Sequence, residues 1–285
     1  MKYLLYISFF CTLSLMASGQ AASNSSLFIF NDMNTRTISL GGQKCLNEVN
    51  LLKTGQRIYL QYNLSPWMPN IDSDGKHWLH QVEAAVRLHQ RHAVKAGWRQ
   101  VSLDPIVLTD ENGRLVKRLN PKGMEFQLGY SFAWLKALTL GITTNYYRYD
   151  DGLKVSEHVA LTTSASYYHP AETTPYFYQF ALEIANIGKK HLPLRFSYGA
   201  SGGRSWQEKH QLLFNVGISH QKLLQDYAHI LHAGIEYAYR NHLFLRTGYR
   251  SPHKGQGVYG YTSIGAGIHF FGADRTASQI GRAHV

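Results

Sequence analysis

Charge, cysteine and long apolar runs are all scarce in these 285 residues. Charged side chains make up 16% of the chain, against about 25% in a typical soluble domain. Of two cysteines, Cys11 lies inside an N-terminal apolar run, which leaves Cys45 alone in the rest. One thiol closes no internal disulfide, so a disulfide framework and a zinc site of paired cysteines are both excluded. Cys45 reads as a small buried apolar residue rather than a nucleophile. No apolar run approaches the ~20 residues that a membrane-crossing helix needs. The mean hydropathy of −0.27 agrees, and a bundle of membrane helices is excluded. Disorder is excluded by the opposite feature, since aromatics reach 13% where charge is sparse.

What is present is tyrosine, at 19, and glycine, at 25. A mildly hydrophilic chain of this kind has the composition of a membrane β-barrel, whose lipid-facing and inward residues average out along each strand. The length allows one large domain or two small ones.

The two ends read as separate from the fold. Lys2 and the apolar residues 4–16, followed by Ala17, Ser18, Gly19, Ala21 and Ala22, form a secretory signal, residues 1–21, cut between Gly19 and Ala22. Residues 280–285, IGRAHV, back-translate to a string that resembles a sequencing adapter, so this tail is read as an artefact on a truncated gene. Without Lys2 and Arg282 the formal charge falls from +11 to +9.

Between them, apolar and polar residues alternate with period two. Met124, Phe126, Leu128, Tyr130 and Phe132 alternate with Glu125, Gln127, Gly129 and Ser131. Tyr176, Tyr178, Phe180, Leu182 and Ile184 alternate with Gln179, Ala181 and Glu183. Such strands set one face in an apolar medium and the other in a polar one. The pattern predicts twelve strands, near 57–63, 78–88, 93–104, 122–132, 137–148, 157–168, 175–186, 193–201, 209–220, 227–240, 242–250 and 259–271. Most exceed the five or six residues usual in a β-sandwich, and repeated segments of about ten are the transmembrane-barrel signature. The expected fold is therefore all-β, a transmembrane antiparallel up-and-down β-barrel over residues 57–279. Twelve strands are visible, and about fourteen are expected if the C-terminus is truncated. Short connections (89–92, 133–136, 241) and long ones (64–77, 105–121, 149–156, 251–258) partly alternate, as an up-down meander in an outer membrane requires. That parity places residues 22–56 on the periplasmic side or as a plug in the lumen.

Motifs for chemistry are few. The polar strand faces carry Glu83, Arg87, Lys95, Arg99, Glu125, Glu183, Arg195, Glu236, Arg246 and Arg250. Apart from Lys95 and Arg250, these are the first candidates for lining the lumen, as an ion-paired interior or as a cationic pore favouring anions. His89 and His92 flank a tight turn and read as solvated, not as a metal site. No Gly-x-Ser-x-Gly elbow supports a nucleophile, so no enzyme activity, cofactor or metal is expected. The positive charge has no basic helix or cluster behind it, which argues against nucleic acid, while anionic outer-membrane lipid accounts for it.

A longer pattern is familiar. The run Tyr59-Leu60-Gln61-Tyr62-Asn63-Leu64-Ser65-Pro66-Trp67-Met68-Pro69 resembles the "SYTPWL" strand end of the PorV/PorQ family, barrels of the type IX secretion system distantly related to fatty-acid transporters. Leu108-Thr109-Asp110-Glu111-Asn112-Gly113 resembles that family's "FTDxxG" loop, and residues 120–126 sit where it has "NPNEFA". Ala185-Asn186-Ile187-Gly188 resembles "ISNIG"; residues 234–250 resemble "GxEYWYxxxFALRAGY". Gly265-Ala266-Gly267-Ile268 resembles "GAGF", and the likeness runs from about Tyr59 to Phe271. The family's opening "MGxxGVA…NPA" is reduced to Ser39-Leu40-Gly41-Gly42-Gln43, without Asn-Pro-Ala.

The resemblance implies an outer-membrane protein of a Gram-negative bacterium that binds exported proteins by a type IX C-terminal signal domain and shuttles them to surface attachment. Other secretion-system subunits would be partners. By position, Trp67, Met68, Pro105, Ile106 and Val107 are the candidates for partner contact, with an interfacial belt as the other reading of Trp67. A PorQ-like attachment subunit is equally compatible. The alternative is a transporter of hydrophobic small molecules, like the fatty-acid relatives. N-terminal sequencing of the protein from membranes is expected to start at residue 20, 21 or 22; a start at Met1 would refute the signal.

Overall fold

The computed structural model describes residues 8–9, 37, 39–42, 44–47, 51–54 and 57–66. It also describes residues 78–268 apart from 103–105, 113, 151, 170–174, 189–191, 193, 208, 223–226, 241 and 252–259. Two short helices come first, α1 (Lys44–Asn47) and α2 (Leu51–Thr54). The strands are β1 (Ile58–Pro66), β2 (Trp78–His89), β3 (His92–Ser102), β4 (Ile106–Thr109), β5 (Leu115–Leu119), β6 (Lys122–Ala133) and β7 (Leu138–Asp150). Then follow β8 (Val155–His169), β9 (Tyr176–Gly188), β10 (Arg195–Trp206), β11 (His210–Lys222), β12 (Tyr227–Tyr239), β13 (Leu243–Arg250) and β14 (Tyr261–Ile268).

Twelve of these form one antiparallel up-and-down sheet, in which each strand pairs with the next and β3 pairs with β6 across the separate β4–β5 hairpin. The all-β meander expected from the alternation is therefore present. Among the described residues no ladder joins β1 to β14. Ser8 and Phe9, inside the expected signal, run parallel to Gln61 and Tyr62.

Two details depart from the sequence reading. Residues 105–121, expected as a loop, contain the β4–β5 hairpin, whose tip is tied by Asp110 Oδ1 accepting from the backbone N–H of Asn112 (2.9 Å) and Arg114 (2.8 Å). The strand expected at 193–201 continues to Trp206 through Gly202 and Gly203. Glycine weakens a strand because it has no side chain to pack. Here the Phe177 ring covers the register partner Gly203, where a Cβ would collide with it. A bulge interrupts β9 at Asn186, whose φ of 61° is left-handed and whose Oδ1 accepts from the Tyr147 hydroxyl at 3.1 Å.

The sheet is inverted relative to a soluble protein. Its buried face is polar: Gln61, Arg99, Glu125, Asn145, Thr162, Glu183, Asn215 and Arg246 all lie there. Its outward face is apolar, with Leu128 68% and Leu182 51% exposed among many others. Aromatic and histidine rings bound this apolar face at both strand ends. At the short-turn end stand His92 with Tyr130, His169 with Tyr178, and Trp206 with His210. Opposite them stand Tyr62 with His80, and Tyr198 with His220. From His210 to His220 the strand advances by ten residues, roughly 34 Å at the strand rise. A tilt of about 40° reduces that to roughly 26 Å, close to the ~25 Å apolar band of outer-membrane barrels.

The polar face curls around residues 37–54. Leu51 packs on Ala85 and Ala93 of β2 and β3, Cys45 and Leu46 pack on Ala181 of β9, and Leu40 packs on Phe177 and Leu213. A segment this short reaches both halves of the sheet only if the sheet wraps it. Glycine permits the closest approach. Gly234 and Gly248 are register partners, and a Cβ on either would stand 2.7 Å from the Leu40 carbonyl oxygen or 2.8 Å from that of Ser39. Gly41 itself has a φ of 86°.

Arginine placed at Leu128 or Leu182, in mid-band, is expected to destabilise the protein by about 2–4 kcal/mol in urea titrations from lipid vesicles, and His92→Arg at the girdle by about 0–1 kcal/mol. Equal effects at both depths would contradict the membrane band.

Candidate functional site

Two places in the molecule gather side chains with something to do: the interior under the strap, and the hairpin beyond the sheet.

The interior holds six of the eight lumen candidates as three ion pairs. Arg99 and Glu125 are register partners on β3 and β6, and their side chains are in contact. Arg246 Nε donates to Glu236 Oε2 at 2.5 Å between register partners on β13 and β12. Arg195 Nη2 donates to Glu183 Oε1 at 2.9 Å, reaching diagonally from β10 to β9. Alternation points each of these residues inward, and the register sets the charges opposite one another. Glu125 and Glu183 are 1% and 2% exposed, so each pair is desolvated. Desolvation makes the pair a weak source of net stability but makes either partner alone expensive. Glu83 and Arg87 are half-buried on the same face of β2. Lys95 lies over Gly129, and Arg250 is buried opposite His232.

The strap is fastened by a polar chain that the sequence reading did not single out. Gly41 O is 2.6 Å from His232 Nδ1, and a carbonyl only accepts, so that nitrogen carries the proton. The other ring nitrogen, Nε2, lies 3.1 Å from the Ser219 hydroxyl, and in the neutral imidazole it accepts from that hydroxyl. Ser197 Oγ in turn lies 2.9 Å from Ser219 Oγ. Neither the serines nor the histidine form a local motif. They meet because β10, β11 and β12 are adjacent and all three side chains point inward. Gly41-Gly42 was a visible signal, since paired glycines mark close backbone approach.

The hairpin carries the other candidates. Val107, on β4, is 54% exposed. Ile106 opens β4. Trp67, Met68 and Pro105 lie outside the described residues. Leu115 and Val116, each 66% exposed, and Leu108 share the hairpin with Val107 and were missed, because β5 was read as loop. The short apolar runs Ile106-Val107-Leu108 and Leu115-Val116 on either side of an Asp-Glu-Asn-Gly turn were the available hairpin signal. Arg114, Lys117 and Arg118 outnumber Asp110 and Glu111 on it. Among the described residues no group of three or more His, Cys, Asp or Glu side chains is placed to hold a metal.

No family model matches the chain, and no curated protein matches it in sequence. The resemblance to the PorV/PorQ family accordingly stands on the motifs alone. Solved structures similar to the chain include LpxR from Salmonella typhimurium, at 11% identity and a TM-score of 0.42, covering 68% of this chain and 88% of that one. LpxR is an outer-membrane lipid A deacylase. The expectation of no enzyme activity is corrected on that finding: scarcity of local catalytic motifs in a strand meander is no sign against catalysis. Groups such as Ser219 and His232 meet only through sheet register, so a search for local motifs passes over them.

Replacing Glu125 by Gln leaves Arg99 buried without its counter-charge and is expected to cost about 3–5 kcal/mol in urea unfolding. The double replacement Arg99→Met with Glu125→Leu is expected to recover most of that loss; additive losses would show that the pair itself is the stabilising element.

Proposed function

We propose that this chain is an outer-membrane β-barrel that docks protein partners through its β4–β5 hairpin and neighbouring long connections. The observation that carries the reading is the exposed apolar set Val107, Leu108, Leu115 and Val116 on a hairpin standing apart from the main sheet. Exposed apolar side chains concentrated on a hairpin that pairs only with itself favour an interaction surface. The hairpin lies at the strand ends that also carry the long connections 67–77 and 251–260. In an outer-membrane barrel that end faces outward. The strap across the interior supports the same reading, since it occupies space that an open channel needs.

The resemblance to PorV/PorQ barrels gives the partner class: exported proteins bearing a type IX C-terminal signal domain, handed on to surface attachment with other secretion-system subunits. The hairpin's basic excess suits a partner with an acidic rim around an apolar centre.

The test is direct binding of a purified signal domain to the detergent-solubilised barrel. Val107→Asp with Val116→Asp is expected to weaken binding tenfold or more while the protein keeps its β-sheet circular dichroism. Unchanged binding would refute the hairpin as the docking surface, and a tightly held lipid with no binding of the signal domain would favour transport of hydrophobic small molecules instead.

A further inference from the structure

Where the outward girdles describe a histidine bonded to a phenol, the imidazole Nδ1 makes the contact. His80 meets the Tyr62 hydroxyl at 2.8 Å, His92 meets Tyr130 at 2.6 Å, and His210 meets Tyr237 at 2.7 Å. Each of these pairs is complete, because a hydroxyl can donate or accept. His220 differs. Its Nδ1 faces another Nδ1, that of His229, at 2.6 Å. The two residues are register partners on β11 and β12, and their rings stand at 77° with centroids 4.8 Å apart. The nearby phenol is displaced to the far side of the ring, where the Tyr198 hydroxyl lies 3.4 Å from His220 Nε2.

We propose that His220 and His229 form a binding site for a divalent transition-metal ion, of the zinc class, on the outward face beside the 223–226 connection. The reading is independent of the docking proposal. Two neutral imidazoles converging on one point are the commonest donors for such ions. A tetrahedral zinc with ligands at about 2.0–2.1 Å spaces its nitrogens by about 3.4 Å, so the rings have to part by less than about 1 Å. Both are on the accessible face of the sheet, at strand ends where side chains have room to turn. Tyr198 has the place of an orienting partner: accepting a hydrogen bond from Nε2–H, it leaves the His220 Nδ1 lone pair free to ligate. His229 ligates through Nδ1 once its proton shifts to Nε2, so the neutral pair binds the ion without releasing a proton. Water completes the coordination.

The experiment is calorimetric titration of zinc chloride into the detergent-solubilised full chain at pH 7.5, after removal of any affinity tag. One equivalent binding with a dissociation constant of about 10 μM or tighter is expected. His220→Ala and His229→Ala should each abolish that equivalent. Tyr198→Phe should weaken it about tenfold, as loss of an orienting partner does. His210→Ala, which breaks a histidine–phenol pair instead, should leave it intact. Binding only at millimolar zinc, or a tight equivalent that survives His220→Ala, would overturn the proposal.

Discussion

A strand that crosses a lipid bilayer must satisfy every backbone N–H and C=O through its neighbours, because the hydrocarbon offers no partner. The rest of this structure depends on that constraint. It requires a continuous ladder, and among the described residues the twelve-strand meander supplies one from β1 through to β14. Alternation then sends the other side chain of each residue pair inward, away from lipid. Polar and charged groups collected there have little bulk water and must be satisfied by one another. The three Arg–Glu pairs follow from this, as does the chain from Ser197 through Ser219 and His232 to Gly41.

Residues 37–54 have a related role. A curled sheet with a polar lining would otherwise enclose space, and this segment fills part of it with Leu40, Cys45, Leu46 and Leu51. Its backbone approaches closely because Leu40 meets Gly234 and Gly41 meets Gly248, where side chains on the sheet would hold it away. Cys45, the one cysteine beyond the N-terminal apolar run, sits here as a packing residue. Lipid-facing band, paired interior and strap are thus consequences of one demand, and the β4–β5 hairpin is the part released from it. Its side chains Val107, Leu115 and Val116 stay exposed on a two-stranded unit that pairs only with itself.

Much of this was legible in the chain. Glu125, Glu183 and Glu236 could be assigned to the inward face from period two alone, since residues two apart share a face in any extended strand. Asp110 and Asp150 could be read as turn residues, and both accept backbone N–H groups at tips, Asp150 from Gly152 at 2.8 Å. The hairpin was passed over because β4 and β5 are too short to show a period, and only the Asp-Glu-Asn-Gly turn between two short apolar runs marks it. The extension of β10 was hidden for a different reason: Gly202-Gly203 reads as a breaker until Phe177 is known to cover it.

The sequence by itself determined which residues could lie in a strand and which face each would take, because both depend on local geometry. It could not determine which inward charges would meet. Arg195 is twelve residues from Glu183 and Arg99 twenty-six from Glu125, and their pairing depends on register across ladders. Nor could it show that Gly41 would meet His232 across 191 residues, or that His220 and His229 would bring two like nitrogens together. Those contacts were decided by tertiary structure, because only the stagger between paired strands and the inward curl of the sheet bring distant residues to one point.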